Sequence, residues 1–386
     1  MSGAHFDDDT RLIIDQLNDR AGSLGPELLP NGRRSGNKWM FSGIADHGKS
    51  ESAYLHLSGP KQGLWLDLGN AMAGEERGDM LDLLRLKRCG GDKAAAFTEA
   101  RRELGLPERG SGKRISDEDR AAMEEAARQR AAERERKYEA ERAKKAKNAK
   151  RLFLRGEALA GTPGEQYLLG RGLRPTPSVI EGGLASSSGV VGHTGNWPGS
   201  LRYFGETYHG PLGAKLPAML AYIVTAAGQH IGTHRLFLQK TRGKGWEKLK
   251  GAPDATAKMV LGNMWGGFVP IHKGRSDASM AHMAEGEAVY VTEGIEDALA
   301  VRMVKPEARI IAAITLPNIG GIVLPRAARK LVVVADRDDK PAAQDALELA
   351  IARQQARGLE VSLVMPPPGV KDVNDWLRGQ RAEKAA

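Results

Sequence analysis

The chain has 386 residues, more than one hydrophobic core usually supports, so two or three folding units of roughly 100–150 residues each are expected. Its 57 Lys and Arg against 48 Asp and Glu leave a formal charge of +9 at neutral pH, which favours a polyanionic partner such as nucleic acid. A single cysteine, Cys89, excludes an intrachain disulfide and any Cys₄ or Cys₂His₂ zinc site.

The opening MSGAHFDDDTR lacks the basic start and apolar stretch of a signal peptide, and no apolar run approaches the roughly 20 residues that span a bilayer. A cytoplasmic protein with no membrane partner is expected. From Arg11 to about Leu106 the pattern is mixed: a short helix, strand-like KWMFSG, SAYLHL and GLWLDLG, then helical GDMLDLLRL and DKAAAFTEARREL. This predicts a small α+β domain over residues 1–110. Residues 111–154 follow as a charged helical linker, rich in Ala, Glu, Arg and Lys and too poor in apolar residues to build a core.

GTPGEQYLLGRGL opens a β-rich region, residues 155–286, whose short strand signals AMLAYIV and HIGTHRLFLQ are separated by glycine-rich turns. Residues 287–386 then alternate apolar strands with helical patterns: AVYVTEG, IEDALAVRMV, RIIAAIT, KLVVVADRDD, AAQDALELAIARQQA and LEVSLVMPPPG. Apolar runs joined by helices are the signature of a parallel sheet buried on both faces. The fold class is therefore multi-domain α+β, with a C-terminal α/β domain carrying the parallel sheet.

Ligands of such sheets bind beyond the carboxyl ends of the strands, where the acids of this region fall. Glu293 follows AVYVT; Asp336, Asp338 and Asp339 follow KLVVVA. Carboxylates brought together repel unless a cation fills them, and Mg²⁺, which takes hard oxygen ligands and bridges carboxylates to phosphates, suits the set; Mn²⁺ would substitute. A metal there would orient an attacking hydroxyl and neutralise charge developing on phosphorus, without a cysteine, serine triad or histidine base. Taken singly, Glu293-Gly294 could be a helix start and the Asp336 run a polar turn.

The motifs E-G-I-E-D-A (293–298), D-R-D-D (336–339) and K-D-V-N-D-W (371–376) resemble the Toprim domain shared by DnaG-type primases, topoisomerases and some nucleases. The resemblance implies that Glu293, Asp336 and Asp338 are the catalytic, metal-linked acids, with Asp297, Asp372 and Asn374 at the further metal-site positions. Before them, the stretch with Arg235, Lys240, Arg242, Lys244, Lys248, Lys250 and Lys258 resembles the basic domain beside the Toprim module of phage and plasmid primases. The entry GTPGEQYLLGRGL resembles that domain's start and would bring Arg171, and Arg174, toward nucleic acid or nucleotide. For each lysine singly, plain surface solubility is the competing reading.

Gly43–Ser50 satisfies the pattern of a phosphate-binding P-loop, but its flanks lack the buried strand and helix that a P-loop requires. The alternative is a resemblance to the zinc-binding N-terminal domain of DnaG-type primases, in which His47 and Gly78-Asp79 keep the pattern while the cysteines are absent. No zinc is then expected, and Trp39, Phe41, Tyr54, Leu55, Leu57, Trp65 and Leu66 must supply the packing. Arg33, Arg34, Lys38, Lys49 and Lys61 on its surface would hold single-stranded template. The expected function is a mobile-element primase that joins ribonucleoside triphosphates on single-stranded DNA with Mg²⁺, working with a replicative helicase. A Toprim nuclease or a non-catalytic DNA-binding replication partner are the alternatives. A topoisomerase would need a tyrosine nucleophile in a separate DNA-cleaving domain, which none of the seven tyrosines supplies.

Overall fold

The structure is a computed structural model that describes residues 5–44, 53–67, 77–107, 116–175, 196–251 and 256–385. Most of the P-loop-like stretch, His47 included, lies outside them. The chain divides into two compact units, 1–141 and 142–386.

The first unit opens with helices α1 (His5–Asp19) and α2 (Ala21–Leu28). Strands β1 (Arg33–Ser35), β2 (Lys38–Phe41), β3 (Ala53–His56), β4 (Trp65–Asp67) and β5 (Arg77–Gly78) follow, then helices α3 (Met80–Arg88) and α4 (Lys93–Leu104). The strands form an antiparallel meander in chain order. Period-two alternation sends Ala53 and Leu55 into the core and leaves Tyr54 and His56 half-buried on the other face. Phe41, Leu55, Leu57 and Trp65 pack with Leu17, Leu83 and Leu84, while Tyr54 and Leu66 lie outside that cluster. Helix α3 starts where Asp79 accepts from the backbone of Leu81 and Asp82 and Asp82 returns the bond, a reciprocal cap. The indole of Trp65 donates to the Asp79 carbonyl at 2.9 Å, so the cap is also fixed to the sheet. Helix α5 (Asp117–Arg155) has only Ala149 and Phe153 buried, as its charged composition predicts.

The second unit continues with β6 (Glu157–Ala158), α6 (Pro163–Gly170), β7 (Leu201–His209), β8 (Ala214–Val224), β9 (His230–Thr241), β10 (Gly245–Lys248) and β11 (Lys258–Gly262). These strands make an antiparallel sheet in the order β10-β9-β8-β7-β6, with β11 also pairing β9. Then come β12 (Val269–Lys273), β13 (Val289–Thr292), α7 (Ile295–Val304), β14 (Arg309–Ala312), α8 (Leu316–Ile319), β15 (Lys330–Val334), α9 (Pro341–Gln355), β16 (Glu360–Val364) and α10 (Val373–Ala385).

The last sheet has the order β12-β14-β13-β15-β16, parallel except for β12 at its edge. Its central strands are buried on both faces, as the unbroken apolar runs require. The strand β12 comes from the stretch before residue 287 and completes this sheet. A single core runs from Leu168, Met219 and Leu236 on the antiparallel side to Ile295, Leu299 and Val332 on the parallel side, which fixes the two sheets together.

Candidate active site

Parallel pairing sets Thr292 of β13 opposite Val334 of β15, so Glu293 and Asp336 leave the same sheet edge. There they enter a cleft of about 350 Å³, walled on the parallel side by Glu293, Glu296, Asp297, Asp336 and Asp372 and on the antiparallel side by Arg171, His234, Lys248 and Lys258. The turn after β13 is tight. A Cβ on Gly294 would stand 2.7 Å from Asp297 Oδ2, so the Glu-Gly pair and the later Asp are one packing unit. The opposite lip is strained: Ile314, a β-branched residue, holds φ at 73° while its N–H donates to the Glu293 carbonyl at 2.9 Å.

The acids are partly withdrawn from water and close to one another. Burial, with the Asp372 and Glu293 carboxylates nearby, pushes Asp336 up to about 6 against the pull of Lys371 and Lys258. Burial and the charges of Asp336 and Asp372 push Asp297 up to about 7, opposed by the Asn374 N–H that donates to its Oδ1 at 3.3 Å. Glu293 is raised by burial and by Asp338, and Lys258 works the other way. Asp338 stands beside the cleft rather than in its wall, its Oδ1 accepting from the Lys340 N–H at 3.1 Å. Asn374 is fully buried behind Asp297, and neither polar atom of its amide has a partner among the described residues.

This donor set fits Mg²⁺. Crowded, partly desolvated carboxylates are what a divalent cation relieves, and their oxygens are its preferred ligands. Among the described residues no three acidic, histidine or cysteine side chains form a ready-made cage. Glu293 and Asp336 are the two that would hold Mg²⁺, with Asp338 adjacent.

The basic residues divide into three groups. Arg171, Lys248 and Lys258 line the cleft. Lys240, Arg242, Lys244 and Lys250 are exposed on and after the β9–β10 hairpin, outside the cleft wall. Arg235 is a correction to the expected placement. Strand alternation turns it away from the cleft that its neighbour His234 lines; it is buried, with Nη1 donating to the Tyr208 carbonyl at 3.1 Å and its guanidinium over Phe237. Arg174 is likewise occupied locally, donating to the carbonyls of Leu169 and Leu173 at the end of α6.

Four polar residues of the cleft wall carry no role assigned from sequence, His234, Glu296, Lys371 and Asp375, and neither does Tyr167, which contacts Glu296 from α6. Glu296 is the centre of a buried network. Its carboxylate accepts from the Tyr167 hydroxyl, lies 2.9 Å from Lys248 Nζ and 3.3 Å from Arg171 Nε. Burial alone would raise Glu296, but Lys248, the Tyr167 bond and Arg171 together hold it below the usual carboxylate range. Tyr167 reaches it because α6 is capped by Thr162, starts on Pro163 and has Glu165 returning a bond to Gly161 N–H at 2.7 Å. His234 is pushed down to about 3 by burial and by Lys258 and Arg235, so it is a neutral imidazole.

A separate aromatic and cationic patch lies on the outer sheet face of the first unit. Lys38 Nζ sits 3.4 Å above the Tyr54 ring, and His56 meets that ring edge-on at 5.3 Å. Burial, then Lys38 and Lys61, push His56 down to about 4.

Residues 288–383 match the Toprim domain family, and residues 143–271 match a domain family of unknown function, DUF7146. The chain therefore carries a Toprim domain at the acidic side of the cleft. Among solved structures, the chain is similar to the zinc-binding and RNA polymerase domains of the Aquifex aeolicus primase, at 14% identity over 97% of this chain and 83% of that one, with a TM-score of 0.35. It is similar to the primase fragment of the bacteriophage T7 primase-helicase protein at 15% identity, over 48% of this chain and 73% of that one, with a TM-score of 0.29. The E. coli primase catalytic core shows 18% identity over 44% and 50% of the two chains, with a TM-score of 0.28. No curated protein matches the chain. Among the described residues no helix is long and apolar enough to cross a membrane.

Proposed function

We propose that this chain is a primase that joins ribonucleoside triphosphates into a short RNA on single-stranded DNA. One observation carries the reading: Toprim acids and a basic antiparallel sheet wall the same cleft, so a metal-binding edge faces a cationic wall on which Lys258 is open to phosphate. When bound at Glu293 and Asp336, Mg²⁺ supplies charge neutralisation at phosphorus and orientation of the attacking 3′-hydroxyl. Glu293 and Asp336 supply its ligands, and Asp338, Asp372 and Asp297 add negative charge around it. Lys258 faces the acids across the cleft and holds phosphate. Lys240, Arg242, Lys244 and Lys250 form an exposed cationic hairpin suited to a nucleic-acid backbone.

In this reading residues 1–110 hold template, 111–154 link, 155–286 supply cations and 287–386 the acids. The Lys38–Tyr54–His56 patch supports template binding, because a neutral ring beside cations stacks bases while the charges meet the backbone. A replicative helicase is the expected partner. Incubation with single-stranded DNA, Mg²⁺ and labelled ribonucleotides yields short oligomers that Asp336→Ala abolishes. Absence of oligomers together with nicking of supercoiled plasmid supports a Toprim nuclease instead.

A further inference from the structure

Four cations line or border the cleft, and they differ in what already holds them. Lys248 and Arg171 are both committed to Glu296, and Arg171 also reaches Asp375 Oδ1 at 3.8 Å. A phosphate could take them only by competing with a buried carboxylate that Tyr167 also anchors. Lys258 and Lys371 also line the cleft, yet among the described residues neither makes an ion pair with a carboxylate. They come from opposite sides: Lys258 from the first residue of β11, Lys371 from the loop entering α10.

The position of Lys371 is built rather than incidental. The N–H of Arg337 donates to the Lys371 carbonyl at 2.7 Å, and the Arg337 guanidinium donates to the Pro366 carbonyl at 3.2 and 2.8 Å. Arg337 lies between the two aspartates of the Asp336–Asp338 pair. The loop bearing Lys371 is thus clamped, through the backbone, to the acid loop, and both lysines stand near enough to act electrostatically on Asp336.

We infer that Lys371 and Lys258 form a two-lysine clamp for the triphosphate of the incoming nucleotide, one on each side of Asp336, while Lys248 and Arg171 serve as structural ties to Glu296. This rests on the nucleotidyl-transfer reading of the cleft and adds a binding residue, Lys371, to it. A triphosphate fits the clamp better than a nucleic-acid backbone: the two lysines, exposed and open to a ligand, approach one acid from two walls of a cleft, whereas the hairpin offers a row of cations along a surface.

The test is calorimetric binding of inorganic triphosphate to the full chain in Mg²⁺, beside binding of a single-stranded DNA oligomer. Lys371→Ala weakens triphosphate binding roughly tenfold, and Lys371→Ala with Lys258→Ala roughly a hundredfold, as expected for loss of charge-assisted bonds. Lys371→Arg retains most of it, and DNA affinity stays within about twofold of the parent protein. Lys248→Ala lowers the thermal unfolding midpoint by several degrees because the nearly buried Glu296 carboxylate loses its lysine partner. Triphosphate binding unchanged in Lys371→Ala overturns the clamp, as does loss of DNA binding in its place, or loss of triphosphate binding in Lys248→Ala with melting unchanged. The two failures are separable. If primer synthesis is absent but the clamp binds triphosphate, the primase reading fails alone; if oligomers form and Lys371→Ala leaves the nucleotide KM unchanged, the clamp fails alone.

Discussion

Lys248 ends β10 with its Nζ 2.9 Å from Oε1 of Glu296 in the first turn of α7, an ion pair that ties the antiparallel sheet to the Toprim helix behind the acids. The carboxylate is nearly closed to solvent, at 12% side-chain exposure, and its three partners come from two segments, Tyr167 and Arg171 from α6 and its C-cap and Lys248 from β10. Removing it leaves Lys248 and Arg171, whose side chains are 31% and 30% exposed, and the buried Tyr167 hydroxyl without their shared acceptor. Glu296→Ala is expected to destabilise the second unit by about 1–3 kcal/mol, chiefly through the buried tyrosine hydroxyl left unpaired, and Glu296→Gln by less because it keeps hydrogen bonds. Urea unfolding followed by tryptophan fluorescence measures both.

The acids that serve chemistry work against the fold. Crowding and burial of Asp336 among Asp372 and Glu293 cost stability that a divalent cation returns. Asp336→Asn is expected to melt at or above the parent protein in chelator, while losing nucleotidyl transfer by about a thousandfold or more. Added Mg²⁺ raises the melting temperature of the parent and changes the variant less. Differential scanning fluorimetry with and without Mg²⁺ reads both arms.

His234 gives a pH dependence of known sign. Its folded pKa of about 3 lies below the free imidazole value of 6.5, so the unfolded chain takes up the proton first. Stability from this group is full above about pH 6.5 and is lost as pH falls toward 3. Measured against His234→Gln, the parent protein's advantage in unfolding free energy is expected to shrink steadily between pH 7 and pH 5.

In the first unit, Asp79 caps α3 and its carbonyl receives the Trp65 indole. Asp79→Ala is expected to cost about 1 kcal/mol through the lost cap. Because the carbonyl remains, the tryptophan emission maximum stays in place, and chemical denaturation monitored there separates the two effects.

Much of this was readable from residues. The Toprim sheet announced itself because its strands are buried on both faces, and the long helix because its composition cannot build a core. The acids were placed by one rule, that charged residues after apolar parallel strands converge at the sheet edge. Other features were hidden for physical reasons. Both faces of β9 are buried, with His234, Arg235, Leu236 and Phe237 all inside, so no polar alternation marks which side chains face the cleft. Glu296 looks in sequence like any helix-surface acid, and only the fold brings Tyr167, Arg171 and Lys248 to it. The strand β12 is five residues long and joins a sheet whose other members come later in the chain, a pairing that local pattern does not encode.

The most direct measurement is anomalous scattering from crystals of the full chain soaked in Mn²⁺ with a nucleoside triphosphate. A Mn²⁺ peak is expected between Glu293 and Asp336, within reach of Asp338 and touching phosphate oxygen. Mn²⁺ and triphosphate bound elsewhere, with that edge of the sheet empty, would contradict that placement.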